Sequence, residues 1–184
     1  MTHVKSKMES SFNIDQNKHD LKWYVIYVKN RHEKSVLAEL QNKGIEASLP
    51  LMTVTREWSD RKKIVEIPWF RGYVFVRINL NYQKFNVLET QGVVRFVPMN
   101  NRAIPVPDEQ LYWLQKMVSM NRHLKHETNL PIGAKIKVCY GPLKGLSGQV
   151  EQQHSSTRII VWFEAIMQGT SVEIDPAWVT KEQL

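Results

Sequence analysis

Four basic residues fall within eight positions of the stretch TREWSDRKK: Arg56, then Arg61, Lys62 and Lys63. Lysine and arginine at that density neutralise phosphates with little regard to base sequence. Trp58 among them adds a ring on which an unpaired base can stack. Glu57, Asp60 and Glu66 interleave with the cations, so an ordinary solvated loop accounts for the same residues. His123 and His126 have a spacing that can share a helix face and a metal ion. No cysteine or acidic cluster completes such a site, and a solvated pair accounts for them. The single cysteine, Cys139, excludes an internal disulfide and fits a reducing cytoplasm. It stands in the apolar run KIKVCY, as a buried inert thiol would. The sequence has no phosphate-binding glycine loop of the P-loop or dinucleotide type. It also lacks a Ser-His-Asp arrangement and the clustered carboxylates that a metal-dependent nuclease needs. These residues describe a binding protein rather than an enzyme, with neither cofactor nor metal.

The charge distribution says where binding is expected. The chain of 184 residues carries a formal net charge of +7. Residues 21–120 hold fifteen basic against nine acidic side chains, whereas residues 121–184 hold seven against six. The positive field therefore belongs to the middle of the chain, and a phosphate backbone is the commonest partner of such a surface. No run approaches the roughly 20 apolar residues of a membrane helix. The polar start, MTHVKSKMESSFNIDQNKHD, has no apolar segment of a signal peptide. A cytoplasmic protein that does not engage membranes is expected.

The elements that must position these residues follow from periodicity. Residues 1–20 hold too few large apolar side chains to bury and read as a disordered tail. LKWYVIYV, 21–28, is β-branched and aromatic on both faces, as in a central strand covered on both sides. NRHEKSVLAELQNKG predicts a helix with Val36, Leu37 and Leu40 as its apolar stripe. Asn30 and Glu33 form its capping box, and Gly44 its left-handed end, with Ile45 folding back on Leu40. Residues 45–67 predict a hairpin with the basic cluster at its tip. A strand at 69–78, a short helix at 81–90 and a short strand at VVRFVPM follow. Pro107, Asp108 and Glu109 open another helix, buried through Leu111, Leu114, Met117 and Val118. NRHLKHETNLP, 121–131, breaks the pattern and reads as a linker. From 132 onward only short β-type runs occur, AKIKVCY, GQVEQ, RIIVWF and SVEID, which predict a small barrel. The turn GPLKGLSG joins its first two strands.

The block PIGAKIKVCYGPLKGLSGQVEQ resembles a KOW motif, found in ribosomal proteins and transcription elongation factors. WYVIYVKNRHEKSVLAEL, PWFRGYVFVRI and GVVRFVPMNNRAIPVPDEQL are similar to the N-terminal domain of the NusG family, and VEID to the end of its KOW domain. The resemblance spans roughly residues 21–184. It implies an α+β protein: a ferredoxin-like domain over 21–120, a linker over 121–131, and an SH3-like barrel over 132–184. It implies a monomeric elongation and antitermination factor that docks on the clamp helices of RNA polymerase and suppresses pausing and termination. By position the docking patch is Tyr24, Phe70, Tyr73 and Phe96, with Trp23 and Trp69 beside it. Of these, Tyr24, Phe70 and Tyr73 are expected at the surface and Trp23, Val25 and Phe75 in the core. Upstream or non-template DNA is the implied partner of Arg56, Arg61, Lys62 and Lys63. The loop EAIMQGTS, through Ile166 and Met167, is implied to recruit a ribosomal small-subunit protein or the termination factor Rho. Arg71 departs from the proline usual in the general factor, and RKKIVEIPWFRGYVFVRI looks like paralogues dedicated to surface-polysaccharide operons. A ribosome-associated RNA-binding protein that uses the barrel is the alternative. The near-neutral charge of the barrel weighs against it.

Overall fold

The computed structural model describes residues 20–57, 62–99, 102–120, 124–127, 133–153 and 156–181. The expected tail lies outside the described residues apart from Asp20, as do Trp58, Asp60, Arg61 and His123. The chain forms two compact units, each discontinuous in sequence: residues 1–49 with 70–107, and residues 50–69 with 108–184.

The first unit is a four-stranded antiparallel sheet with two helices. Its strands are β1 (Lys22–Val28), β2 (Glu46–Ser48), β5 (Tyr73–Ile78) and β6 (Val93–Phe96), in the order β2-β5-β1-β6. Helix α1 (Glu33–Asn42) joins β1 to β2, and α2 (Leu80–Leu88) joins β5 to β6. This β-α-β-β-α-β arrangement is ferredoxin-like. Trp23, Tyr24, Val25 and Ile26 are buried in succession, so both faces of β1 are covered along these four residues, as its composition predicts, whereas Tyr27 emerges at the surface. A two-stranded ribbon of β7 (Pro98–Met99) and β8 (Arg102–Ala103) follows β6.

The ends of α1 divide the expectations. At the C-terminus the amides of Gly44 and Ile45 donate to the carbonyls of Gln41 and Leu40, and Gly44 takes φ +73°. That is the Schellman arrangement, and Ile45 and Leu40 are both buried there. At the N-terminus the capping box does not form. His32 is the cap residue, and it makes no side-chain cap bond. Glu33 is instead 5 % exposed and accepts a 2.9 Å hydrogen bond from the amide of Gly72. A buried carboxylate is satisfied best where a backbone donor is aimed at it, and the turn before β5 supplies one that Asn30 cannot.

The second unit contains the hairpin of β3 (Leu51–Glu57) and β4 (Lys62–Pro68), helix α3 (Asp108–Met120) and a six-stranded antiparallel sheet. The sheet strands are β9 (Leu124–Glu127), β10 (Lys135–Val138), β11 (Ser147–Gln153), β12 (Ser156–Phe163), β13 (Gln168–Ile174) and β14 (Val179–Lys181). Their order is β14-β10-β11-β12-β13-β9. The stretch read as a linker thus contributes a strand: Leu124 to Glu127 pair with Val172 to Gly169 at the end of the sheet. Its polar composition conceals this, because an edge strand needs backbone partners more than apolar side chains. Leu111, Leu114, Met117 and Val118 of α3 are buried as expected, and Trp113 joins them. The Trp69 indole donates to Thr170 Oγ1 at 2.7 Å, tying the base of the hairpin to β13. In the loop between β10 and β11, Gly141 has φ +79°, and a Cβ there would fall 2.5 Å from the Trp178 ring.

Candidate functional site: an aromatic row and a basic hairpin

Strand pleating places Trp23, Val25 and Tyr27 on one face of β1 and Tyr24, Ile26 and Val28 on the other. Tyr27 stands directly opposite Tyr73 on β5 and Arg95 on β6, so the three side chains form a row across the sheet. The tyrosine rings meet edge-on, centroids 5.6 Å apart. The Arg95 guanidinium lies over the Tyr27 ring at 5.7 Å. Tyr27 is 39 % exposed and Tyr73 half-buried, so the row reaches solvent.

The turn before β5 sets this row in place. Gly72 takes φ +80°, and its amide is held by the Glu33 carboxylate. A Cβ at residue 72 would lie 3.0 Å from Tyr27 Cε2, so the Tyr27 ring packs against bare backbone. Tyr27 and Arg95 are not among the residues that the family resemblance implies. The alternation within WYVIYV carries the signal, because a ring three residues after Tyr24 must emerge on the opposite face.

The same pleat splits the expected docking set. Tyr24 and Phe96 lie together, rings edge-on with centroids 6.4 Å apart, and each is 8 % exposed. Ile26, on the Tyr24 face, pairs with Phe96, whereas Tyr73 pairs with Tyr27 on the opposite face. Phe70 is 2 % exposed. Surface positions were expected for Tyr24 and Phe70. Their burial follows from the apolar surroundings of the Tyr24 ring and from the turn that folds Phe70 inward, where its carbonyl accepts from Tyr73 N. Burial also raises the Tyr24 phenol above its ordinary pKa. Trp23, Val25 and Phe75 are buried as expected, and Arg71 is exposed.

The hairpin presents its charge by register. Arg56 stands opposite Lys63, and Glu57 opposite Lys62. Glu57 and Lys62 form a 2.9 Å ion pair, whereas Arg56 and Lys63 are like charges on one face, both exposed. Below them on that face, Val54 faces Val65 and Met52 faces Ile67, all partly buried. Of the expected nucleic-acid contacts, Arg56 and Lys63 are therefore brought together and Lys62 is locally neutralised. Arg61 lies outside the described residues.

In the second unit the loop EAIMQGTS begins with a single 3-10 turn, Glu164–Ile166. Ile166 is 6 % exposed, so it belongs to the core and not to an exposed contact surface. Met167 closes the turn at φ +51° and is 58 % exposed. Left-handed backbone at Met167 turns its side chain out while Ile166 folds in. The Cys139 thiol is half-buried rather than fully buried and lies 3.3 Å from Thr180 Oγ1. Among the described residues no group of three or more His, Cys, Asp or Glu side chains could hold a metal ion. No helix of the described residues is long and apolar enough to cross a membrane.

Residues 21–115 match the family model described as "Transcription termination factor nusG". The transcription termination/antitermination protein NusG of Bacillus subtilis is 23% identical over 173 residues, covering 86% of this chain and 97% of that protein. The NusG proteins of Pseudomonas aeruginosa and Lactococcus lactis are 24% and 25% identical over 87% and 85% of this chain, and over 98% and 90% of their own length. A solved structure, "Domain interaction in Thermotoga maritima NusG", is 20% identical and covers 89% of this chain and 98% of its own, with a TM-score of 0.48. With the family model matching more than half of its length, this chain belongs to the NusG family of transcription termination and antitermination factors.

Proposed function

We propose that this protein binds RNA polymerase through its N-terminal domain, residues 21–120, suppresses pausing and termination there, and recruits a second partner through the barrel, residues 132–184. The family match over 21–115 carries this reading. In it, Tyr73 and Tyr27 meet the clamp helices of polymerase at the surface, while Tyr24, Phe70 and Phe96 keep the strands in register beneath. Rigid, half-exposed tyrosines bury large area with few rotors to freeze, which suits them to anchor an interface. Arg56 and Lys63 contact upstream or non-template DNA, and Arg61 adds its charge to that stretch. Like charges held opposite each other repel, and a phosphate between them turns repulsion into binding. Met167 is the side chain offered to a ribosomal small-subunit protein or to Rho. Action in the cytoplasm follows from this reading.

The test uses the full tagged chain and bacterial core RNA polymerase. Retention of polymerase by the wild type, and its loss in Tyr27→Ala/Tyr73→Ala with an unchanged circular dichroism spectrum, is the expected result. Read-through at an intrinsic terminator should fall in the same variant. Failure of the wild type to retain polymerase overturns the reading and moves attention to ribosomes.

A further inference from the structure

The first unit holds a cleft of about 510 Å³ that shares Arg95 with the aromatic row and takes no residue from the hairpin. Leu80, Lys84 and Leu88 enter it from α2 at four-residue spacing, which is one face of a helix. Phe96 and Ala103 complete an apolar floor, and Arg95 and Arg102 stand with Lys84 around it. All three cations are exposed. Arg95 lies at the rim, where its guanidinium is shared with the Tyr27 ring 5.7 Å away. The same helix exposes Tyr82 at 57 % and Phe85 at 70 %, large apolar surface for a helix that otherwise turns polar residues outward.

From this we infer that the cleft between α2, β6 and β8 is a docking site for an acidic protein segment that inserts one apolar side chain between carboxylates. The charge complementarity is direct: three cations ring the floor, and the described lining contains no acidic side chain. The floor decides between a protein and a nucleic acid. A base needs an open ring face in the floor to stack on. The described floor offers aliphatic carbon and the largely buried Phe96 instead. A leucine, isoleucine or phenylalanine fits such a floor by burial alone, and flanking aspartates or glutamates meet the cations. This inference stands apart from polymerase binding through Leu80, Lys84, Leu88, Arg102 and Ala103, which belong to neither the aromatic row nor the proposed docking set, whereas Arg95 and Phe96 are shared with them.

The experiment selects a random peptide library on the full chain, with Lys84→Ser/Arg95→Ser/Arg102→Ser as counter-selection. Enriched peptides should carry an apolar residue flanked by Asp or Glu and should bind the variant at least about tenfold more weakly. Their affinity should fall as salt is raised from roughly 0.05 to 0.3 M. Lys84→Glu, a single exposed change, tests the same point if the triple variant does not fold. Peptides without acidic bias, equal affinity for the variants, or no enrichment would each overturn the inference. A single-stranded oligothymidine is titrated in parallel. Binding of that probe lost in the variants, with no peptide enriched, would assign the cleft to nucleic acid instead.

Discussion

Replacing Glu33 with alanine tests how the aromatic row is held. The carboxylate is 5 % exposed and accepts one hydrogen bond, 2.9 Å long, from Gly72 N. Its removal leaves that amide without its partner in a buried turn. An unsatisfied buried donor costs about 1–3 kcal/mol, and bonds to charged acceptors lie in the upper half of that range. The cost should appear as local opening of the turn before β5, since the helix contributes further contacts through Val36 and Leu40. A change of about 2 kcal/mol corresponds to roughly a thirtyfold fall in protection. Hydrogen exchange of the Gly72 amide reads this directly, and it does not require the whole chain to unfold in one step. Glu33→Gln retains an oxygen acceptor and should lose only about 0.5–1.5 kcal/mol, a smaller change at the same amide. Protection of Gly72 unchanged in Glu33→Ala, with the α1 amides equally unaffected, would refute the argument that this carboxylate sets the turn.

Gly72→Ala should destabilise by about 1–2 kcal/mol from its positive φ alone, and should also displace the Tyr27 ring. Thermal unfolding and tyrosine fluorescence check the two parts. Leu40→Ala, at a fully buried position beneath the Schellman end of α1, should cost about 2–5 kcal/mol in urea unfolding. The Tyr24 phenol has a folded-state pKa raised by burial. Its contribution is therefore complete below the unfolded value near 10 and is lost as pH rises through the higher folded value. Tyr24→Phe should flatten the alkaline limb of a stability–pH curve and remove one late-titrating phenol from absorbance at alkaline pH. Lys63→Glu should weaken binding to single-stranded DNA and reduce its salt slope by about one contact. Retention of polymerase by that variant should stay unchanged.

Sequence periodicity makes much of this architecture legible. The stripe of α1, its Gly44 end, the hairpin and the buried face of α3 all follow local spacing that a chain must obey wherever it folds. What sequence does not show is which face of a sheet a strand residue joins in three dimensions. Tyr24, Phe96 and Tyr73 look alike as aromatic residues in strands, and only the pairing of β1 with β5 and β6 separates them. Ile166 and Met167 are neighbours in one loop, and a single left-handed residue sends them in opposite directions. Glu33 has the spacing of a capping residue, yet a donor 39 residues away takes it. Composition likewise marks 121–131 as a linker, because an edge strand is held by backbone that composition does not record.

The bond between Trp69 and Thr170 joins residues 101 positions apart. During synthesis the hairpin emerges long before β13 exists. At about 5–20 residues per second, Trp69 waits roughly 5–20 s for its partner. Throughout that interval the first sheet can complete itself, since its last strand ends at Phe96. The nascent chain therefore passes through a period in which one unit is finished and the hairpin belongs to neither. The order of emergence, and not only the final energy, decides what the hairpin meets first.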